Sequence, residues 1–273
     1  MTTKSMEIQM VDTITQYLHI KDEVDAAVSD VIASGKFING PTVHAFRKNL
    51  ADYLDAKHVI ACANGTDALQ VALMALDLQP GDEVITVPFT FFATAEVMAL
   101  LGLVPVFVDI DPRTFNIDAT KIEAAITEKT RCIVPVQLFG QSSDMSAIMD
   151  IADKHKLFVI EDAAQSIGAE CTLSDGRTVK SGLAGHIGTT SFYPSKNLGA
   201  YGDAGAIFTN DPELADKCQV ICNHGSHKKY YHERIGVNSR LDSVQAAILD
   251  IKLKHLENWH DGRRGNAAFY DKH

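Results

Sequence analysis

The sequence predicts an α/β protein of three layers, α/β/α, in which a mainly parallel mixed sheet is covered by helices on both faces. Three observations predict it. Short β-branched runs alternate with segments of helical period, the pattern of strands joined by crossover helices. The runs are almost continuously apolar, as strands buried on both sides require. Past LFVIEDAA the alternation stops, and the strand-like runs IGTTSFY and AGAIFTN follow with only a turn between them, so at least one pair in the sheet is antiparallel.

In order, the chain begins with two amphipathic segments, VDAAVSDVIASG and VHAFRKNLADYLDA, at helical period. The strand HVIACA is followed by the helix DALQVALMALDL, the strand DEVITV by the helix ATAEVMALLG, and the strand VPVFVDI by the helical-period run IEAAIT. CIVPVQLF, the helix MSAIMDIADKH and LFVIEDAA complete the alternation, and TLSDGRTVKSG is polar and rich in turn residues. A long amphipathic segment, LDSVQAAILDIKLKHLENW, closes the domain, and the chain shows no repeat or low-complexity linker.

Composition excludes several functions. The formal net charge of -10 opposes nucleic acid and anionic membrane surfaces, so any anionic ligand must be held locally. No apolar run is long enough to span a bilayer, and the start, MTTKSMEIQMVD, lacks the apolar core of a signal peptide, which predicts a cytoplasmic protein. The five cysteines are odd in number and widely spread, as expected of reduced buried thiols. Cys218 and Cys222 with His224 lack paired C-x-x-C ligands, and the histidines of HGSHKKYYHE (His224, His227, His232) match no strong metal motif, so no metal is expected.

In an open α/β sheet the ligand sits beyond the carboxyl ends of the strands, and the loops there carry the chemistry. After HVIACA, Asn64 and Gly65 form a turn and Thr66 opens a helix whose free N–H groups can hold a phosphate, although an ordinary N-cap accounts for the same residues. After DEVITV, Phe91 or Phe92 can lay a ring over a flat heteroaromatic ligand or enter the core. After LFVI, Glu161 and Asp162 end an apolar strand, where a carboxylate needs a cation or strong donors. Asp162 either caps the next helix or pairs with a protonated ring nitrogen. Lys196 lies in the turn SFYPSKNLGAYGDAG, beside Ser191 and among glycines that allow close approach; partial burial there lowers a lysine's pKa and makes it a nucleophile. Together these loops describe a pyridoxal phosphate site. Competing motifs fail on spacing. GAYGDAG is not the G-x-G-x-x-G of dinucleotide folds, no Walker A sequence is present, and Tyr193 and Lys196 are too close for a Y-x-x-x-K pair.

The blocks GKFINGPTVHAFRKNLADYL, ACANGTDALQVALMAL, GDEVITVPFTFFATAEVMALLGLVPVFVDIDPRTFNID, VIEDAAQSIGA, TTSFYPSKNLGAYGDAGAIFTND and GVNSRLDSVQAAIL resemble the DegT/DnrJ/EryC1/StrS sugar aminotransferases and cover nearly the whole chain. The resemblance implies the large domain of a fold type I pyridoxal 5′-phosphate enzyme: a helical segment and approach over 1–40, the cofactor domain over 41–250, and over 251–273 the start of a helix leading to a smaller C-terminal domain that is missing here. It implies that Lys196 bonds to the cofactor aldehyde and Asp162 pairs with the pyridine nitrogen. Gln165 neighbours the ring, Phe91 stacks on it, and Gly65, Thr66 and Ser191 hold its phosphate. Asn238 reaches the phosphate of a partner subunit in a homodimer, and Arg240 meets the anionic part of the substrate. The expected reaction moves an amino group from glutamate to a nucleotide-linked keto sugar for surface polysaccharide or amino-sugar biosynthesis. IDPRTFNID and GVNSRLD agree best with enzymes acting on UDP-linked 3-keto-glucuronate derivatives. The alternatives are a non-catalytic binder of pyridoxal phosphate or sugar nucleotide, and a sugar dehydratase, against which Lys196 stands because dehydratases carry histidine there.

Overall fold

The computed structural model describes residues 10–273. Most of the stretch read as lacking a signal-peptide core, together with the start of the 1–40 segment, therefore lies outside the described residues.

The described chain opens with α1 (Thr13–His19), which the periodicity did not single out, followed by α2 (Lys21–Ser34) and α3 (Pro41–Leu54). Local chemistry sets these boundaries. Gly35 ends α2 in the left-handed region at φ 66°, and Pro41 occupies the first turn of α3, where its missing N–H has no partner to lose. Strand β1 (His58–Cys62), α4 (Gly65–Ala75), β2 (Glu83–Thr86), α5 (Ala93–Leu100) and β3 (Val104–Phe107) follow. A short helix, α6 (Ala119–Ile122), ends where the run IEAAIT begins, and the run itself gives only a 3-10 turn over Glu123–Ala125. Next come β4 (Thr130–Ile133), α7 (Met145–His155), β5 (Phe158–Asp162), β6 (Glu170–Thr172), β7 (Thr178–Lys180), β8 (Ile187–Ser191), β9 (Gly205–Thr209), α8 (Pro212–Cys222) and α9 (Ser243–Lys272). The polar segment TLSDGRTVKSG contributes to a separate hairpin, β6 with β7.

The main sheet has seven strands in the order β1-β9-β8-β5-β4-β2-β3. All run parallel except β9, which is antiparallel to both neighbours, β1 and β8. The carboxyl ends of β1, β2, β4, β5 and β8 therefore share one edge with the start of β9. Alternate strand residues enter opposite cores, as the period of two requires. Ile60, Val84, Cys132, Ile160 and Ile207 pack with α4, α5 and α8. Val59, Ala206 and Phe208 face α3 and α9, while Ile85, Ile133 and Val159 face α6 and α7. This is the three-layer α/β/α arrangement. Edge strand β3 departs from the doubly buried reading: it pairs on one side only, and Val104 and Phe107 are exposed.

All five cysteines are unpaired and buried, and Cys218 and Cys222 lie on the core-facing side of α8. Among the described residues no helix is long and apolar enough to cross a membrane.

Candidate active site

A cavity of about 730 Å³ opens at the shared strand edge. Its lining brings together seven of the nine residues that the resemblance assigns to the site: Gly65, Thr66, Phe91, Asp162, Gln165, Ser191 and Lys196. Each comes from a different local device.

Gly65 begins α4 one residue earlier than the sequence suggested, and Asn64 is the cap, its side chain accepting from the Asp67 N–H at 2.7 Å. The other free N–H groups of that first turn remain available to an anion. Gly65 is required by close approach: a Cβ there would stand 2.6 Å from the Cβ of Ser191. Ser191 is the last residue of β8, so helix start and strand end form one small cradle.

Asp162 ends β5 beside Thr189 of β8. No helix follows it, so it caps a turn, its Oδ1 accepting from Ala164 N–H at 3.2 Å. Its Oδ2 accepts from the Thr94 hydroxyl at 2.8 Å. Burial pushes the carboxyl above the ordinary aspartate pKa, and Thr94, Ala164 and the charge of Lys196 oppose that push. Lys196 is half-buried, and burial draws its pKa down against the opposing attraction of Asp162. The two groups thus share one cavity, each modulating the other's charge.

Glu161, one residue earlier, points to the opposite face, as alternation along a strand demands. It is wholly buried and accepts from Gln137 Nε2 at 2.7 Å and from the backbone N–H groups of Gly182, Ala184 and Gly185 at 2.9, 2.8 and 2.7 Å. The paired carboxylates of the sequence therefore separate into an anchor for the 182–185 turn and a cavity group.

Gln165 is fixed by the Phe139 N–H, which donates to its Oε1 at 2.9 Å. Phe91, 74% exposed, presents its ring at the rim, whereas Phe92 does not line the cavity. Asn238 and Arg240 are not part of this lining. They flank Ser239, which is buried and accepts from the Ala63 N–H at 3.1 Å, so the NSRLD segment is tied beside the end of β1. The sequence reading missed Thr94, although it lies inside the quoted block PFTFFATAE; a hydroxyl in the first turn of a helix beyond a strand end was the available signal.

The histidines of this loop have other partners: His227 pairs with Asp216 and Glu233, and His232 Nδ1 is hydrogen-bonded with the His224 carbonyl oxygen at 2.8 Å. Among the described residues, no three His, Cys, Asp or Glu side chains converge as metal ligands would.

Comparison with known proteins gives a consistent result. A protein described as a pleiotropic regulatory protein from Geobacillus stearothermophilus is 53% identical over 98% of this chain and 70% of its own length. The UDP-2-acetamido-2-deoxy-3-oxo-D-glucuronate aminotransferase of Pseudomonas aeruginosa is 51% identical over 97% of this chain and 72% of its own. Among solved structures, DesV of S. venezuelae, determined in complex with a ketimine intermediate, superposes with a TM-score of 0.92 at 41% identity, covering 96% of this chain and 70% of that one. The model of the DegT/DnrJ/EryC1/StrS aminotransferase family matches residues 18–273, and the chain belongs to that family.

Proposed function

We propose that the chain is a pyridoxal 5′-phosphate-dependent aminotransferase that moves an amino group from glutamate to a nucleotide-linked keto sugar. The observation that carries this reading is the meeting of Lys196 and the buried Asp162 on one cavity that also includes the first turn of α4. The residues present fit the cofactor. The cradle of Gly65, Thr66 and Ser191 suits a phosphate because its N–H groups are free and a larger residue at 65 would fill it. A buried carboxylate held by only one hydroxyl and one N–H suits a cationic ring nitrogen, which would offset the cost of its burial. Phe91 offers a flat apolar face.

When bound, the cofactor supplies an aldehyde that receives the amino group and a ring that accepts electrons as the donor's α-proton leaves. Lys196 would be the nucleophile that holds that aldehyde. The Lys196 amine would also serve as the base that takes the proton from the donor's α-carbon, a role favoured by its depressed pKa. Asp162 would keep positive charge on the ring nitrogen, and Gln165, which lines the same cavity, would neighbour the ring.

Asn238 and Arg240 complete the site across a homodimer, Asn238 toward the partner's phosphate and Arg240 toward the anionic part of the sugar. Their position outside their own chain's cavity lining supports that assignment. The relative from Pseudomonas aeruginosa suggests a UDP-linked 3-keto-uronate as the sugar, whose carboxylate suits Arg240. We place the cofactor domain at 41–250, preceded by the helical approach of 1–40, with 251–273 leading toward a smaller domain. The enzyme acts in the cytoplasm in surface polysaccharide or amino-sugar synthesis.

The test is Lys196→Arg. Wild-type protein incubated with pyridoxal 5′-phosphate should yield a borohydride-reducible adduct at Lys196, and the variant should yield none at the site. An equal adduct in the variant overturns the assignment.

A further inference from the structure

Lys252 is a second lysine that the proposed chemistry does not use, and it is more deeply buried than Lys196. It lies on α9 with 1% of its surface exposed. Its ammonium sits 4.8 Å from the ring centre of Tyr201 and 6.0 Å from that of Trp259, and it donates to the carbonyl oxygen of Gly199. No carboxylate forms an ion pair with it among the described residues. Burial alone draws its pKa down to about 8. Such a group is costly where the neighbouring positions on α9, Leu249 and Leu256, are apolar core residues.

The contact it makes accounts for its presence. Gly199 belongs to the loop between β8 and β9 that carries Lys196. That loop closes on itself: the Lys196 N–H donates to the Tyr193 carbonyl and the Ala200 N–H to the Phe192 carbonyl, each at 2.8 Å. Gly199 packs so tightly on Pro194 that a Cβ would lie 2.3 Å from its carbonyl oxygen. These bonds fix the loop's own shape, and α9 fixes where the loop stands. The Gln245 side chain accepts from Tyr201 N–H at 2.9 Å and donates to the Tyr201 carbonyl at 3.4 Å. His260 Nε2 meets Asn197 Nδ2 at 3.4 Å. Residues 245, 252 and 260 recur on one face of the helix at two-turn intervals, and they meet alternate loop residues, 201, 199 and 197.

We propose that Lys252, together with Gln245, is a positioning residue that holds the loop so that the Lys196 amine stays on the Asp162 side of the cavity. The proposal rests on the reading of Lys196 as the cofactor-binding nucleophile. Lys252 touches neither substrate nor cofactor; it acts through Gly199. A neutral donor of similar length at 252 can keep that contact, and an apolar side chain cannot.

The experiment uses the full chain, pyridoxal 5′-phosphate as probe, and the variants Lys252→Met, Lys252→Gln and Gln245→Ala. Three quantities are read: the rate of the borohydride-trapped adduct at Lys196, the pH midpoint of the visible band that the lysine–cofactor bond gives, and the unfolding temperature without cofactor. Lys252→Met should fold, trap cofactor at Lys196 about 10-fold more slowly and shift the pH midpoint by about one unit. Lys252→Gln should recover most of both, and Gln245→Ala should show the same defect in milder form. Wild-type rate and midpoint in Lys252→Met, or in Gln245→Ala should Lys252→Met fail to fold, overturn the proposal and leave Lys252 a packing residue. A folded wild-type chain that traps no cofactor at Lys196 overturns the functional reading and this proposal with it, whereas normal wild-type trapping with unaltered variants overturns the proposal alone.

Discussion

The hydroxyl of Thr94 donates to Oδ2 of Asp162 at 2.8 Å and is itself bonded to the Thr90 hydroxyl at 2.9 Å. Thr94 sits in the first turn of α5 and Asp162 at the end of β5, so two elements far apart in sequence fix one carboxylate. Thr94→Val keeps the side chain's shape and removes the donor. It is expected to destabilise the cofactor-free protein by about 1–3 kcal/mol, because a buried oxygen loses its partner. Urea unfolding measures the loss, and titration with pyridoxal 5′-phosphate should show weaker binding.

Lys252 sets a pH dependence of stability. Its folded pKa is depressed from 10.5 to about 8, so the unfolded chain binds the proton more tightly in that interval. Stability therefore rises with pH between those values, by roughly 3 kcal/mol, and is lost again as pH falls toward the folded value. Unfolding curves on either side of the interval measure the rise. Lys252→Met should flatten this contribution and leave the protein at least as stable at neutral pH.

Gly65→Ala puts a methyl 2.6 Å from the Ser191 Cβ and must push the start of α4 away from the end of β8. The expected cost is about 1–3 kcal/mol in stability. Affinity for pyridoxal 5′-phosphate should fall about 10-fold or more, while pyridoxal, which lacks the phosphate, should bind almost as before. Parallel titrations with the two compounds separate damage to the cradle from general disruption.

Glu161→Gln replaces an acceptor of four hydrogen bonds with a group that turns one N–H₂ toward donors. The Gly182, Ala184 and Gly185 N–H groups cannot all be satisfied. A loss of about 3 kcal/mol in urea unfolding is expected, larger than for Thr94→Val, since a charged acceptor and several backbone donors are affected together.

The site was legible wherever a residue's chemistry conflicted with its local setting. A lysine among glycines, carboxylates ending an apolar strand and a helix start after a glycine turn are local anomalies, and the cavity gathers Lys196, Asp162, Gly65 and Ser191. Thr94 was marked only by its place in the first turn of a helix beyond a strand end, and Gln245 and Lys252 were not marked at all. A threonine near a helix start and a lysine in an amphipathic helix are ordinary in sequence, and only their distant partners make them otherwise. For the same reason IEAAIT read as a helix although only Glu123–Ala125 of it forms a 3-10 turn, and the polar run before β8 read as turns although its Thr178–Lys180 pairs with Glu170–Thr172.

The sequence by itself determined the α/β class, the alternation of elements and the loops that bear the chemistry, because periodicity, capping and turn preference act over a few neighbouring residues. The tertiary structure alone decided that the reversed strand β9 inserts between β1 and β8, that Glu161 and Asp162 part to opposite faces with different partners, and that α9 grips the loop carrying Lys196. Those outcomes depend on contacts between segments up to about 150 residues apart, where burial and hydrogen-bond partners arise only once the sheet has closed its layers.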